Sequence, residues 1–156
     1  LNKPALDHGD LERTPVMGMV MKAALRLLPP VMGIPRRSVK DLVFNGHLVP
    51  KGSFIMMGPL FTHHMDEFWS NPTAFDPERF SDERQEHRKH PFLYIPFGGG
   101  AHTCIGMHFA EMQVKAIIHQ LVLGHRWSVP ADYQMPVDYT SLPTPRDGLP
   151  VKLEKI

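Results

Sequence analysis

The chain contains a single cysteine, Cys104, and the residues around it restrict the fold more than any other stretch. Three glycines, Gly98 to Gly100, come shortly before it, and a segment with helical spacing follows it. Glycines let a backbone pass close to a flat, bulky partner in conformations that a side chain forbids. A thiol at a helix N-terminus, surrounded by backbone N–H groups, ionises easily, and a thiolate is a good soft ligand for iron. The loop therefore predicts a metal ligand, with a buried core cysteine as the alternative interpretation.

Composition excludes several other classes of protein. The 156 residues are 42% hydrophobic, which is enough for one domain with a buried core. A net charge of +1 gives no reason to expect nucleic acid as a partner, and the ten histidines are scattered rather than spaced like zinc ligands. One cysteine cannot form an internal disulfide and fits a reducing compartment. The sequence has neither a signal-peptide pattern nor a run of about twenty apolar residues, so we expect no membrane-spanning segment within it.

Two strong helical patterns enclose a proline-rich and glycine-rich middle. The first helix follows Thr14-Pro15 and stops before Pro29-Pro30, because proline cannot continue a helix. Between the helices, Asn45-Gly46 is the strongest two-residue hairpin signal. The predicted elements are a loop over Leu1–Thr14, helices over Val16–Leu28, Phe61–Phe68 and Ile105–Leu123 (capped by Gly124), strands over Lys40–Phe44, His47–Val49 and Gly148–Leu153, a buried strand over Ser53–Met57, and an irregular segment over Asn71–Pro96.

The cysteine loop carries a motif, Phe97-x-x-Gly100-x-x-x-Cys104-x-Gly106, which fixes four positions within ten residues. It resembles the haem-binding signature of the cytochrome P-450 family. The resemblance implies a mainly α fold with small β-sheets, namely the C-terminal part of the cytochrome P-450 fold. Residues 1–156 would then form the C-terminal haem-binding portion of one partial domain, with the upstream half and the oxygen-activating helix absent.

The same resemblance implies the chemistry. The expected activity is that of a haem-thiolate monooxygenase, which inserts one oxygen atom from O2 into a hydrophobic small-molecule substrate. The implied cofactor is haem b (iron protoporphyrin IX), and the electrons would come from a redox partner of the ferredoxin or reductase type. The residues of the loop are most similar to those of soluble bacterial members. This similarity predicts a cytoplasmic location, although an upstream membrane anchor is not excluded. The alternatives are a degenerate or truncated haem-binding protein without turnover, and a haem-free structural domain.

Family roles carry over to the cysteine loop residue by residue. Cys104 would be the catalytic thiolate and the proximal ligand of the haem iron, and Phe97 would shield the sulfur. The amides that follow the cysteine would donate hydrogen bonds to the sulfur and tune its donation to iron. The predicted cofactor-binding residues of the loop are Phe97, Gly98, Gly100, His102, Cys104, Ile105 and Gly106.

Outside the loop, the resemblance implies propionate and substrate contacts. His102 and Arg36 would bind the haem propionates, and a planar guanidinium suits a carboxylate. Because Arg37 is adjacent to Arg36, either of the two could be the arginine that binds a propionate. The predicted apolar substrate pocket comprises Val31, Ile34 and Leu142.

One family motif is incomplete in this chain. Arg26 on the first helix and Arg79 in the segment Phe75-Asp-Pro-Glu-Arg-Phe80 match two arginines of a buried ion-pair network that braces the cysteine loop. The glutamate expected with them is replaced by Ala23. Deleting one partner of a buried ion pair costs about 3–5 kcal/mol. We therefore expect weak haem binding unless another carboxylate takes that place.

Overall fold

The computed structural model describes residues 3–156, so Leu1 and Asn2 of the predicted N-terminal loop lie outside it. Within these residues the chain forms three α-helices and eight short strands, paired into antiparallel two-stranded sheets. The predicted mainly α fold with small β-sheets is therefore confirmed. The helices are α1 (Pro15–Leu27), α2 (Pro59–Thr62) and α3 (Met107–Gly124), and the strands are β1 (Ile34–Arg37), β2 (Leu42–Phe44), β3 (His47–Val49), β4 (Phe54–Met57), β5 (His125–Ser128), β6 (Val137–Asp138), β7 (Thr144–Pro145) and β8 (Lys152–Lys155).

The first helix and the hairpin form as predicted. Helix α1 begins with Pro15 in its first turn and is closed by the Leu28 amide, which donates to Ala24 O at 2.9 Å. Asn45 and Gly46 both have positive φ, +47° and +80°, as a two-residue turn between β2 and β3 requires. In both cases the local signal is strong enough to set the element without help from distant residues.

Strand β1 was not predicted, and its partner β4 is not the buried strand that we expected. The two pair antiparallel, with Ile34 opposite Met57. Phe54 and Met56 of β4 are largely exposed, because among the described residues only β1 adjoins this strand. A run of apolar residues shows that a strand is favoured, but burial depends on what packs against it.

The predicted short helix over Phe61–Phe68 is misplaced. Helix α2 starts earlier, because Pro59 lies in its first turn, and it ends at Thr62. Beyond that point the His63 carbonyl accepts a hydrogen bond from Arg26 rather than from the next helical turn. The chain continues in turns, in which the amides of His64 and Met65 donate to carbonyl groups three residues back, Phe61 O and Thr62 O.

Helix α3 differs from its prediction at both ends. It begins at Met107, after Gly106, rather than at Ile105, and Gly124 is its last residue rather than its cap. Its buried residues are Lys115 and His119, whereas Phe109 and Ile117 are exposed. Lys115 donates to Leu11 O at 3.0 Å and so ties α3 to the start of the described chain.

Both ends of the chain add small local structures. The predicted N-terminal loop contains a one-turn 3₁₀ helix, His8–Asp10, stabilised by reciprocal capping hydrogen bonds between Asp7 and Asp10. The last strand is β8, shifted from the predicted Gly148–Leu153, because Gly148 and Leu149, which follow a turn at residues 146–147, have positive φ and are not extended. Strand β8 pairs with β5, directly after α3.

The core lies where α1 meets the irregular segment between α2 and α3. The 3₁₀ turn at Pro77–Phe80 packs against α1. The buried apolar cluster consists of Ala23, Trp69, Phe80 and Leu93, with Met19, Phe68 and Tyr94 packed against it. None of the helices in residues 3–156 is both long and apolar enough to cross a membrane.

Candidate functional site

A cavity of about 540 Å³ lies between the end of α1, strand β1 and the cysteine loop. It unites parts of the chain that are about seventy residues apart in the sequence. Its size falls in the range of small-molecule and cofactor sites. The lining residues are Pro30, Val31, Ile34, Arg36, Pro96, Phe97, Gly98, His102 and Cys104.

Backbone hydrogen bonds and left-handed glycines shape the cysteine loop. The Cys104 amide donates to Phe97 O at 2.9 Å, which closes the loop across its base. Gly98 has φ +75°, and a Cβ added there would lie 3.5 Å from His102 O and 3.9 Å from Ile34 Cδ1. Only glycine adopts this conformation without strain. The loop therefore turns tightly beside the cavity wall.

Cys104 lies three residues before α3, exposed and free, on the cavity wall. Its neighbours Ile105 and Gly106 do not line the cavity, and nor does Gly100. A Cβ added to Gly106 would lie 3.7 Å from Cys104 Sγ, so glycine keeps that side of the sulfur open. In the described part of the chain, the hydrogen bonds that shape the loop do not include donation from these two amides to the sulfur, and that role stays a prediction.

The register of the two adjacent arginines follows from strand β1. Successive side chains of a strand point to opposite faces. Ile34 and Arg36 both line the cavity, whereas Arg37 Nη1 donates to Gly52 O at 3.4 Å, outside it. Arg36 and His102 thus supply two basic side chains to the same cavity. Both could donate hydrogen bonds to acidic groups of a bound molecule.

The predicted substrate residues separate into two groups. Val31 and Ile34 line the cavity beside Pro30 and give it an apolar wall. Leu142 is exposed in the turn between β6 and β7 and does not line the cavity. The structure thus brings together two of the three predicted substrate residues.

Arg26 is buried and holds the chain beyond α2 by its backbone. Its Nη1 donates to His63 O at 2.8 Å and Pro72 O at 2.6 Å, and its Nη2 donates to Ala74 O at 2.9 Å. The guanidinium carbon lies 5.1 Å from the centroid of the Trp69 ring. These partners are neutral, so they orient the charge without cancelling it.

Arg79 is also buried, and it has an acidic partner that sequence reasoning missed. Its Nη1 donates to Glu86 Oε2 at 2.9 Å, and its Nη2 donates to Ser70 O at 2.6 Å and Asn71 O at 3.0 Å. Asp76 is more distant, with Oδ2 3.7 Å from Arg79 Nε. The expectation that both arginines lack a carboxylate is therefore corrected, because the irregular segment supplies one to Arg79.

The charges of this cluster influence one another. Burial lowers the pKa of Arg26, the nearby charge of Arg79 lowers it further, and the charge of Glu86 opposes both effects. Burial alone would raise the pKa of Glu86, but hydrogen bonds from Arg84 and Arg79 outweigh it and hold that pKa below its usual value. Glu86 is therefore a carboxylate within the electrostatic reach of both buried arginines.

His63 is a second residue that sequence reasoning missed. Its ring is fully buried and stacked on Tyr94, with 5.3 Å between centroids. Its Nε2 accepts a hydrogen bond from the Ile95 amide at 2.9 Å, which makes the neutral ring the stable form. Burial lowers the pKa of His63 to about 4. The sequence offers no signal that distinguishes it from the adjacent His64.

Comparisons with known proteins show the family of the chain. A family model for cytochrome P450 matches residues 2–152. Cytochrome P450 136 of Mycobacterium tuberculosis is 40% identical over 149 residues, which cover 95% of this chain and 30% of that protein. Taxane 10-beta-hydroxylase of Taxus cuspidata is 33% identical over 145 residues, covering 92% of this chain and 29% of that protein.

A solved structure is similar as well. Cyanobacterial CYP120A1 with retinoic acid bound superposes with a TM-score of 0.91 at 32% identity, covering 97% of this chain and 35% of that one. The chain thus spans about a third of the length of the relatives that it matches. It belongs to the cytochrome P450 family, a family of oxidoreductases and monooxygenases.

Proposed function

We propose that the complete protein is a haem-thiolate monooxygenase in which Cys104 is the proximal ligand of haem b. The observation that carries the proposal is the cavity, which unites Cys104, Arg36 and His102 with an apolar wall. A cysteine sulfur, two basic side chains and an apolar wall in one cavity match the metal, the acidic groups and the flat apolar body of a haem.

The residues present fit a haem on further grounds. Within residues 3–156 no three His, Cys, Asp or Glu side chains come close enough to hold a metal ion by themselves. A single cysteine ligand suits a metal whose other ligands come with the cofactor. When bound, haem supplies the activation of O2 on which such monooxygenases depend.

The chain's own residues would bind and orient the reactants. With haem bound, Cys104 would supply a thiolate ligand to the iron, and Phe97 would shield the sulfur. Arg36 and His102 would donate hydrogen bonds to the acidic groups of the cofactor. Val31 and Ile34 offer apolar contact to a hydrophobic substrate. Electrons would come from a redox partner of the ferredoxin or reductase type.

The test is the carbon monoxide difference spectrum of the reduced complete protein, compared with its Cys104→Ala variant. We expect the thiolate-type Soret band in the first and its loss in the second. A matched control, His90→Ala, changes an exposed side chain outside the cavity and should leave the band unchanged. An unchanged thiolate-type band in Cys104→Ala would contradict the proposal.

A second candidate, a haem-binding protein without turnover, is favoured by Ala23, which stands where the family motif has a carboxylate. A turnover assay with hydrophobic substrates and an electron donor separates the two functions. A thiolate-type band without any product would support the second candidate.

A further inference from the structure

We infer that Glu86 is the positioning residue that balances the charge of the buried arginines and thereby holds the irregular segment against α1. The inference concerns a carboxylate outside the family motif quoted above. Its consequence for haem rests on the proposed function, but its consequence for folding stability does not.

The charge balance of the cluster points to Glu86. Arg26 and Arg79 are 1% and 2% exposed, and Glu86 is 9% exposed. Both arginines keep a buried Nε without a hydrogen-bond partner in the described part of the chain, so neutral groups do not satisfy them completely. A buried charge is expensive unless it is paired. Glu86 is the buried acid that pairs with this cluster: its Oε2 accepts from Arg79 Nη1 and its Oε1 accepts from Arg84 Nε, whereas the Nε atoms of Arg26 and Arg79 stay without a partner.

Asp76, the other acid near Arg79, is less suited to the role. Its side chain is 30% exposed, against 11% for that of Glu86, and it contacts Arg79 only at 3.7 Å. Its closer contact is with Arg84, whose side chain is 38% exposed. Ion pairs at such exposure contribute little to stability. The buried charge therefore depends on Glu86.

The two arginines hold one continuous stretch of backbone. Arg79 binds the carbonyl groups of Ser70 and Asn71, and Arg26 binds those of Pro72 and Ala74. Residues 70–74 are thus held between α1 and the 3₁₀ turn that carries Arg79. Loss of the Glu86 charge would leave two like charges close together beneath this stretch, which favours its separation from α1.

The chain beside Glu86 connects to the cysteine loop through packed aromatic rings. Next to Glu86, the ring of His87 lies 5.1 Å from that of Phe80 and 6.1 Å from that of Tyr94. The Tyr94 hydroxyl donates to Lys22 O on α1 at 3.2 Å, and two residues after Ile95 the cysteine motif begins. Displacement of the irregular segment from α1 would therefore shift the residues that lead into the Cys104 loop.

The experiment uses Glu86→Gln, which keeps the size of the side chain and removes its charge, in the complete protein. The matched control is Glu78→Gln, which removes the same charge from an exposed position in the adjacent turn. We expect Glu86→Gln to lower the unfolding temperature of the haem-free protein by roughly 5 °C or more, and the control to change it by less than about 1 °C.

Rescue distinguishes charge balance from ordinary packing. Ala23→Glu places an acid three residues before Arg26 on α1, on a neighbouring position of the helix surface. In the Glu86→Gln background it should recover at least half of the lost unfolding temperature. A second measurement avoids dependence on that buried substitution: Glu86→Gln should lower the unfolding temperature by less in the Arg79→Gln background than in the parent, because one partner charge has been removed.

Equal unfolding temperatures for Glu86→Gln and Glu78→Gln would overturn the inference, and so would full additivity of Glu86→Gln with Arg79→Gln. Haem occupancy, read from the Soret absorbance, should fall with Glu86→Gln and recover with Ala23→Glu. If the Cys104→Ala spectrum disproves the haem-thiolate site, the coupling in the haem-free protein still tests the role of Glu86 independently.

Discussion

At the scale of single residues, His63 links three parts of the chain. Its carbonyl accepts from Arg26 on α1, its Nε2 accepts from the Ile95 amide, and its ring stacks on Tyr94. An imidazole that accepts a hydrogen bond from a backbone amide must be neutral at that nitrogen. Protonation of His63 is therefore incompatible with the folded arrangement just before the cysteine loop.

This residue predicts a specific pH dependence of stability. Because the folded pKa of about 4 lies below the unfolded value of 6.5, the unfolded state binds the proton more tightly. The contribution is fully present above pH 6.5 and is lost as the pH falls to about 4. The difference corresponds to about 3 kcal/mol of unfolding free energy.

The measurement is denaturant unfolding at a series of pH values. His63→Asn should be less stable than the parent at pH 7 and should show a flatter dependence between pH 6.5 and 4. His64→Asn serves as the control, since that ring is only half-buried and contacts Leu60 O of the preceding helix α2. Identical pH slopes for the two variants would show that His63 is not the group responsible.

At the scale of elements, strand β1 decides which arginine serves the cavity. Alternation along the strand directs Arg36 to the cavity and Arg37 toward Gly52. The sequence alone left these neighbours equivalent. The pairing of β1 with β4, whose residues lie about twenty positions later, sets the register that separates them.

We therefore expect Arg36→Ala to weaken haem binding about tenfold, the equivalent of one charge-assisted hydrogen bond. Arg37→Ala is a matched control, with the same change one residue along the strand, and it should retain the affinity of the parent. Titration of the haem-free complete protein with haem, followed by Soret absorbance, gives both affinities. A larger loss of haem affinity in Arg37→Ala than in Arg36→Ala would show that Arg37, not Arg36, serves the cavity.

The elements also show where sequence patterns are informative. Helix α1 and the β2–β3 hairpin form as predicted, because a proline pair and Asn45-Gly46 act locally. Strand β1 contains Pro35 and two adjacent arginines, so its sequence lacks the alternation of apolar and polar residues that indicates a strand. Helix α3 has an apolar face that the described residues leave exposed, while Lys115 is buried against Leu11. Burial there follows from contacts across about a hundred residues, which no local pattern contains.

At the scale of the whole molecule, a small core supports the site. Trp69 is completely buried beneath Arg26 and against Phe80, with 6.2 Å between the two ring centroids. The core thus joins α1 to the segment that leads to the cysteine loop. Few other large apolar side chains share this burial in the described part of the chain.

Trp69→Ala should consequently lower the unfolding free energy by about 3–5 kcal/mol, through lost burial and a cavity. Trp127→Ala is the control, because that ring is 44% exposed and lies outside the core. Circular dichroism during denaturant unfolding of the complete protein measures both. Equal losses would mean that the core described above does not govern stability.

The sequence by itself determined the family, the fold class and the cysteine loop, because the motif from Phe97 to Gly106 concentrates its information within ten residues. It also indicated that Arg26 and Arg79 belong to one network and that Ala23 stands where the network has a glutamate. Only the tertiary structure decided which carboxylate accompanies Arg79, which arginine faces the cavity and which histidine is buried. Those outcomes depend on contacts between residues far apart in the chain, and a local sequence pattern does not record which distant group supplies the partner for a buried charge.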